Sequence, residues 1–358
     1  MSTNQRIAIV GANGKIGFEV TMLLKAAGCD IVPICRGRRG SAALRYLGIP
    51  VRHGSIASAA DAPRLIGDAA VVINFALPIG VPAHSRTQNR AIIENCFVAA
   101  PQAKLIFCST MVTHKGFNAE DQPKGMTQYG REKRANADQI RSLERAHDHP
   151  AITVRLGHVA GATQPISIAM HELIARGPVS LPYPERQANI LHCLTIADMV
   201  RRAASEQWFS PGLWDLVDQP GLSWRRAFEL EAALANLPVE LVDAGPGTGA
   251  PVSMPLIRQV ARQIARIPAL RQSAERVLAN LPERYSRQAR LQHLIAQNAA
   301  ETAALRTTPP QLDALTYPGI VASLPPGLRD LDAILSDQSY RLPQGRFGPG
   351  WPEDLPPA

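Results

Sequence analysis

The sequence predicts an α/β fold, a doubly wound parallel sheet followed by a smaller, mainly helical C-terminal lobe. Three observations predict it. A β-branched run at residues 7–10 leads into a glycine-rich turn, a helical pattern follows that turn, and short apolar runs then alternate with helical patterns to about residue 160. Strands that are apolar on both sides and joined by helices form parallel sheets with helices on both faces.

Each element of the first half has its own signal. The predicted strands are apolar runs at residues 7–10, 31–35, 51, 71–75, 104–108 and 152–155. The predicted helices carry apolar residues at helical spacing and lie at residues 18–27, 42–47, 89–100 and 127–146. After Gly161 the alternation loosens, although residues 191–194 predict one more strand and a helix opens at Asp198.

The amino-acid composition limits the kinds of partner that the protein is expected to bind. With 46% hydrophobic and 19% charged residues, the 358-residue chain can build a substantial core. A net charge of +8 favours anionic ligands, including phosphorylated cofactors. Aromatic residues are only 5% of the chain, and no basic segment interleaves them as a base-stacking surface requires, so we expect a small-molecule substrate and no nucleic acid.

Cysteine usage and apolar runs bear on location. Five dispersed cysteines without a C-x-x-C pair predict reduced thiols and no zinc or iron–sulfur site. No apolar run is long enough to span a membrane, and residues 1–5 lead directly into the first predicted strand. We therefore expect a cytoplasmic protein without a bound metal.

The glycine turn has the spacing G-x-x-G-x-x-G. Gly11 permits the sharp turn, Gly14 lets a pyrophosphate approach the backbone, and Gly17 allows close contact between helix and strand. The positive end of the following helix attracts phosphate. The same turn contains the other candidate cofactor-binding residues Asn13, Lys15 and Ile16. The context predicts a dinucleotide site in a Rossmann-type sheet.

Basic residues follow the second predicted strand, where the adenine ribose would lie. A carboxylate at this point would repel a 2′-phosphate, but the sequence has Arg36, Arg38 and Arg39. Arginine can bind phosphate through two parallel hydrogen bonds. We expect NADP(H) to be preferred, with Arg36 as the first candidate ligand and Arg38 and Arg39 behind it, and NAD(H) as the alternative.

A proton-transfer pair lies about a hundred residues after the glycine turn. Tyr129 and Lys133 are one helical turn apart, so they share a face. A nearby ammonium stabilises a phenolate, which lets the tyrosine exchange a proton with a substrate oxygen. Thr110, with Ser109 as the less favoured choice, ends an apolar run and can hydrogen-bond the same oxygen.

These motifs together resemble the extended short-chain dehydrogenase/reductases, of the NAD-dependent epimerase/dehydratase family, from about residue 5 to about residue 205. The three glycines match the family's extended spacing, and Thr110, Tyr129 and Lys133 fit its catalytic threonine, tyrosine and lysine. Asn74-Phe75-Ala76 takes the place of its fourth-strand motif, which makes Ala76 a cofactor-binding candidate. Asn89 fits the asparagine of the next helix.

Two departures qualify the resemblance. Ser55 stands where the family usually has an aspartate that contacts adenine. His158 stands where many nucleotide-sugar enzymes have an asparagine. The second departure favours an NADP(H)-dependent oxidoreductase that interconverts a ketone and a secondary alcohol. A nucleotide-sugar epimerase or dehydratase with tightly bound NAD is the alternative, and a catalytically silent NADP(H)-binding protein is a third interpretation.

The chain is expected to divide into three regions. Residues 1–160, joined by 190–215, form the dinucleotide-binding domain, while 161–189 and 216–306 form a substrate-binding lobe, with His158 and His192 near the cleft wall. Residues 307–358 form a proline-rich C-terminal segment. The arginine-rich helices after Pro255 predict a solvated face, with an anionic substrate or peripheral membrane contact as alternatives.

The resemblance also implies a homodimer. Extended members of the family commonly pair through the two helices that here follow Asn89 and Thr127. The second of these carries Ala135, Ile140 and Leu143 away from the catalytic face. We expect either a partner subunit or the rest of the same subunit to cover them.

Overall fold

A computed structural model describes seven stretches of the chain, residues 5–38, 41–78, 82–113, 128–181, 183–218, 221–234 and 237–244. The predicted arginine-rich helices and the proline-rich C-terminal segment lie outside these residues. The described chain divides into two compact units. The first contains residues up to 161 and from 191 to 218, and the second contains residues 162–190 and those after 219.

The first unit is built on a seven-stranded parallel sheet, which confirms the predicted fold class. Its strands are β1 (Ile7–Val10), β2 (Ile31–Cys35), β3 (Arg52–His53), β4 (Val71–Asn74), β5 (Lys104–Thr110), β6 (Ala151–Leu156) and, seventh in the sheet, β10 (Gly212–Leu216). Their order is β3-β2-β1-β4-β5-β6-β10. The order reverses between β1 and β4, and a ligand of such a sheet binds at that reversal, beyond the carboxyl ends of the strands.

Helices cover both faces of this sheet. They are α1 (Lys15–Ala26), α2 (Ala42–Tyr46), α3 (Ala62–Ile66), α4 (Pro82–Ala99), α5 (Gln128–His147) and α7 (Cys193–Ala204). A short 3-10 helix, Met111–Thr113, follows β5. Neither α3 nor β10 was predicted from the sequence, and α4 begins seven residues before its predicted start because its first two turns are polar.

The sheet separates two apolar cores. One core packs Phe18 and Leu24 of α1 and Met199 of α7 against one face of the strands. The other packs α3, α4 and α5 against the opposite face. Because alternate strand residues point to opposite faces, Ile106 enters the first core and Phe107 the second.

The apolar residues of α5 named in the dimer prediction are partly accounted for within the subunit. Ile140 is buried in the second core and Leu143 packs against that core. Ala135 is exposed. Packing within one subunit therefore covers two of the three residues, and the homodimer stays a prediction.

Four further strands and two helices complete the described structure. Strand β7 (His158–Ala160) pairs with β9 (Ile190–His192), and β8 (Val179–Leu181) pairs in parallel with β11 (Leu241–Asp243). The second unit also contains the contacting helices α6 (Pro165–Ile174) and α8 (Trp224–Leu234). In it the buried Glu231 of α8 accepts a hydrogen bond from Ser167 of α6 at 2.7 Å and lies 2.9 Å from the ring of His171.

A buried ion pair joins the last two strands of the sheet. Arg155 of β6 and Asp215 of β10 face each other in register. The guanidinium makes two parallel hydrogen bonds to the carboxylate, one of them 2.7 Å from Nη2 to Oδ2. The side chain of Asp215 is only 1% exposed, so each charge depends on the other for its compensation.

We expect Asp215→Ala to destabilise the protein by about 3–5 kcal/mol, because it leaves the guanidinium of Arg155 buried without a counter-charge. Urea unfolding measures this change. The control is Asp138→Ala, which removes the partner of Arg141 from an exposed pair on α5 and should cost less than about 0.5 kcal/mol. Equal losses for the two variants would contradict the structural role of the buried pair.

Candidate active site

The glycine turn lies at the reversal of strand order. Gly11 has φ +79°, a left-handed conformation that favours glycine. A Cβ atom on Gly11 would lie 2.8 Å from the backbone nitrogen of Ala76, at the end of β4. A Cβ atom on Gly17 would lie 2.3 Å from the carbonyl oxygen of Gly11. Strand β1, helix α1 and the loop after β4 therefore meet where no side chain fits.

This turn fits a dinucleotide. A Cβ atom on Gly14 would meet only the carbonyl oxygen of Gly11, at 3.2 Å, and no other surrounding atom within 4 Å. Helix α1 starts directly after Gly14, and no side chain there caps the helix. The amide groups of Lys15, Ile16 and Gly17 form its first turn, where the helix dipole attracts an anionic pyrophosphate. Asn13 lies beside them, and its backbone N–H contacts the thiol of Cys35 at the end of β2.

Two asparagines hold the loop that follows β4. The side-chain oxygen of Asn74 accepts a hydrogen bond from the Ala76 amide at 2.9 Å. The side-chain amide of Asn89, on α4, donates to the carbonyl of Pro78 at 3.3 Å and to the carboxylate of Glu132 at 3.2 Å. The loop that bears Ala76 is thereby linked to α5, one residue away from Lys133.

Tyr129 and Lys133 lie on the first turns of α5 and differ in exposure. Tyr129 is 42% exposed, whereas Lys133 is 7% exposed. The ammonium of Lys133 donates to the carbonyl of Cys108, on β5, at 2.6 Å and lies 6.0 Å from the centre of the Tyr129 ring. Burial lowers the pKa of Lys133 from its ordinary value. The pair is thus anchored to the carboxyl end of β5.

The hydroxyl side chains of Ser109 and Thr110, at the end of β5, point to opposite faces of the sheet. Ser109 and Thr110 alternate along β5, so their side chains lie on opposite faces of the sheet. Ser109 is 6% exposed, and its hydroxyl makes no hydrogen bond within the described part of the chain. Thr110 is partly exposed, and its carbonyl accepts a hydrogen bond from the Thr113 hydroxyl at 2.7 Å. The exposure favours Thr110 over Ser109 as a residue that a substrate could reach.

The structure therefore places the candidates along one edge of the sheet. Gly11 and Ala76 lie just after β1 and β4, and Thr110 is the last residue of the adjacent strand β5. Arg36 and Arg38 are exposed after β2, the next strand along this edge, and Arg39 lies outside the described residues. Residues 114–127, which include the segment compared with the acidic loop of the family, also lie outside them.

Sequence reasoning missed several polar residues of this region. Glu19 is 2% exposed, and its carboxylate fills the space beside Gly161 where a Cβ atom would lie. It also contacts the thiol of Cys193, whose pKa is raised well above its ordinary value by burial and then by this carboxylate. No spacing signal marks Glu19, because a carboxylate on an apolar helix face is recognised only when its neighbours are known.

Asp61 is a second missed carboxylate. Its side chain accepts a hydrogen bond from the backbone of Ser55 at 3.3 Å. Asp61 comes from the start of α3, six residues after Ser55. A carboxylate thus lies at the turn after β3 although position 55 itself has none.

The two histidines named from the sequence have different surroundings. The ring nitrogen Nδ1 of His192 accepts a hydrogen bond from the Leu194 amide at 3.1 Å and so caps α7. The backbone amide of His192 donates to Asp218 at 2.8 Å. His158 lies in β7 and is partly buried. Their predicted place at a cleft wall stays a prediction.

Comparison with known proteins agrees with this geometry. Residues 7–177 match the sequence model of the NAD dependent epimerase/dehydratase family. The predicted family resemblance is confirmed over these residues. The family is described as NAD dependent, which supports an enzyme that uses a nicotinamide cofactor. Among curated protein sequences none matches this chain significantly.

Solved structures show the same fold at low sequence identity. UDP-N-acetylglucosamine 4-epimerase from Bacillus cereus is 15% identical, with a TM-score of 0.51 over 67% of this chain and 85% of that chain. UDP-glucose 4-epimerase from Thermotoga maritima, solved with UDP-glucose, is 16% identical, with a TM-score of 0.51 over 68% and 87%. The Bordetella bronchiseptica enzyme WbmG, in complex with NAD and UDP, is 20% identical, with a TM-score of 0.50 over 68% and 83%. No helix of the described chain is long and apolar enough to cross a membrane.

The crowding at the glycine turn gives a stability prediction. Gly17→Ala should destabilise the protein by at least about 2 kcal/mol, because the added methyl group would overlap the Gly11 carbonyl and force the helix away from the strand. Gly37→Ala is the control, since a Cβ atom there would meet nothing within 4 Å. Urea unfolding of both variants measures the difference, and a neutral Gly17→Ala would contradict the packing described for the turn.

Proposed function

We propose that this protein is an NADP(H)-dependent oxidoreductase that interconverts a ketone and a secondary alcohol. The observation that carries the proposal is the buried ammonium of Lys133, anchored at the carboxyl end of β5 beneath the exposed ring of Tyr129. An exposed phenol above a fixed positive charge is suited to proton transfer with a substrate oxygen.

Tyr129 acts as the general acid and base. In the direction of reduction its hydroxyl gives a proton to the carbonyl oxygen, and the phenolate that remains is stabilised by the charge of Lys133. In the direction of oxidation the phenolate takes the proton of the alcohol. Thr110 donates a hydrogen bond to the same oxygen and orients it.

The cofactor would be held by the glycine turn and the loop after β4. The residues proposed to hold it are Gly11, Asn13, Gly14, Lys15, Ile16, Gly17, Ala76, Tyr129 and Lys133, with Arg36 and Arg38 on the 2′-phosphate. A nicotinamide cofactor bound there supplies or accepts a hydride at the carbon that bears the reacting oxygen. The sparse surroundings of the Gly14 Cβ position and the positive end of α1 support this assignment.

A nucleotide-sugar epimerase or dehydratase with tightly bound NAD is the second candidate. The matched family and the epimerases of the same fold favour it. The two candidates share the proton chemistry of Tyr129 and differ in what happens to the cofactor. A reductase releases its cofactor at each turnover, whereas an epimerase keeps it, so mass spectrometry of the purified protein separates them.

We further propose that the second unit selects a small-molecule substrate and that the protein works as a homodimer in the cytoplasm.

The first functional prediction concerns proton transfer. Tyr129→Phe should lower turnover by at least about 100-fold, because the ring remains while the transferable proton is lost. Cofactor affinity, measured by fluorescence titration, should change little. Near-normal turnover of Tyr129→Phe would remove Tyr129 from the mechanism.

The second functional prediction concerns cofactor preference. Arg36→Ala should weaken NADPH binding about tenfold and leave NADH binding nearly unchanged, since only NADPH carries the 2′-phosphate that the guanidinium would bind. Arg131→Ala, an exposed arginine of α5, tests for a general loss of positive charge. Equal losses for both cofactors, or a parent protein that prefers NADH, would refute the preference.

A further inference from the structure

The backbone carbonyl of Arg38 is the centre of a small hydrogen-bond network. It accepts a hydrogen bond from the amide of Ser41 at 3.1 Å, from the hydroxyl of Ser41 at 2.9 Å and from the guanidinium of Arg45 at 3.3 Å. Ser41 is fully buried, whereas Arg38 is exposed. The carbonyl of this exposed arginine is therefore held by Ser41, just before α2, and by Arg45, within α2.

His53 connects this network to the sheet. Its ring nitrogen Nε2 lies 2.7 Å from the hydroxyl oxygen of Ser41. The Ser41 hydroxyl has one proton to donate, so in the tautomer that protonates Nε2 the ring of His53 donates to Ser41 and Ser41 donates to the Arg38 carbonyl. His53 is the last residue of β3 and pairs in register with Cys35, the last residue of β2. The sheet thus sets the position of the ring, and the ring sets the position of Ser41.

We propose that Ser41, His53 and Arg45 are positioning residues that hold Arg38 in the place where it binds the 2′-phosphate of NADP(H). The inference rests on the proposed preference for this cofactor and adds residues that do not themselves need to contact it. They act by fixing the backbone of Arg38, so that less freedom is lost when its side chain binds phosphate.

The charges around the network agree with an anionic ligand. The pKa of His53 is lowered by burial and, further, by the positive charges of Arg45 and Arg38, which shows that these charges act on the same small region. The carboxylate of Asp61, which follows β3, is engaged by Arg64 and by the Ser55 backbone. A phosphate beside Arg38 would meet the positive charges of Arg38 and Arg45.

The test compares cofactor affinities of matched variants by fluorescence titration. Ser41→Ala removes both hydroxyl bonds and should weaken NADPH binding about tenfold, with less than a twofold change for NADH. Ser205→Ala is the control. The hydroxyl of Ser205 also donates to the carbonyl three residues earlier, that of Arg202, at 3.3 Å, but Ser205 lies at the end of α7. His53→Leu should reproduce the effect of Ser41→Ala, and His53→Gln, which keeps a donor, should restore most of the affinity.

A double variant shows whether the network acts through Arg38. If it does, Ser41→Ala should weaken NADPH binding no further in a protein that already carries Arg38→Ala. Selective loss in Arg38→Ala without loss in Ser41→Ala or His53→Leu would overturn the positioning role and leave the cofactor preference standing. No selective loss in Arg38→Ala, Arg36→Ala or their combination would overturn both. If Ser41→Ala does not fold, the two His53 variants decide the question.

Discussion

The candidate site depends on close backbone packing around Gly11, at the glycine turn of the first unit. Gly17 of α1 packs onto the Gly11 carbonyl, and Ala76 packs against the Cα atom of Gly11 from the other side. Helix α1 can approach β1 this closely because Gly17 has no side chain, and the loop after β4 can approach because Gly11 has none. The same contact holds the loop after β4 at the reversal of strand order, which is where the turn, the helix N-terminus and the end of β4 must meet to hold a dinucleotide.

Buried polar groups extend this arrangement to the proton-transfer pair. Asn89 joins the loop after β4 to Glu132, the residue before Lys133. Lys133 in turn is fixed by the Cys108 carbonyl on β5. A buried ammonium or carboxylate is costly unless a partner satisfies it, so each of these groups accepts few alternative positions. These contacts therefore fix the loop after β4 and the proton-transfer pair on α5 relative to each other.

The places where the chain leaves and rejoins the first unit are also marked by polar contacts. Gly161, the last residue before the chain leaves, packs against the buried carboxylate of Glu19. After the return, the backbone of His192 and the hydroxyl of Thr195 both donate to Asp218, which precedes the second departure. Glu19 and Asp218 thus organise the ends of the first unit without belonging to the candidate catalytic group. The carboxylate of Asp218 satisfies one backbone amide and one hydroxyl group there.

The sequence by itself determined the parts that local chemistry dictates. The β-branched run before Gly11, the glycine spacing and the alternation of apolar runs predicted the parallel sheet, and the spacing of Tyr129 and Lys133 predicted a shared helical face. Strand β10 was not predicted because its place at the sheet edge depends on pairing with β6, some sixty residues earlier in the chain. The contacts of Glu132, Glu19 and Ser41 were not predicted for the same reason, since a polar residue acquires its partner only when distant segments pack together. Tertiary structure alone decided which of the two hydroxyls at the end of β5 is exposed and where the buried charges find their partners.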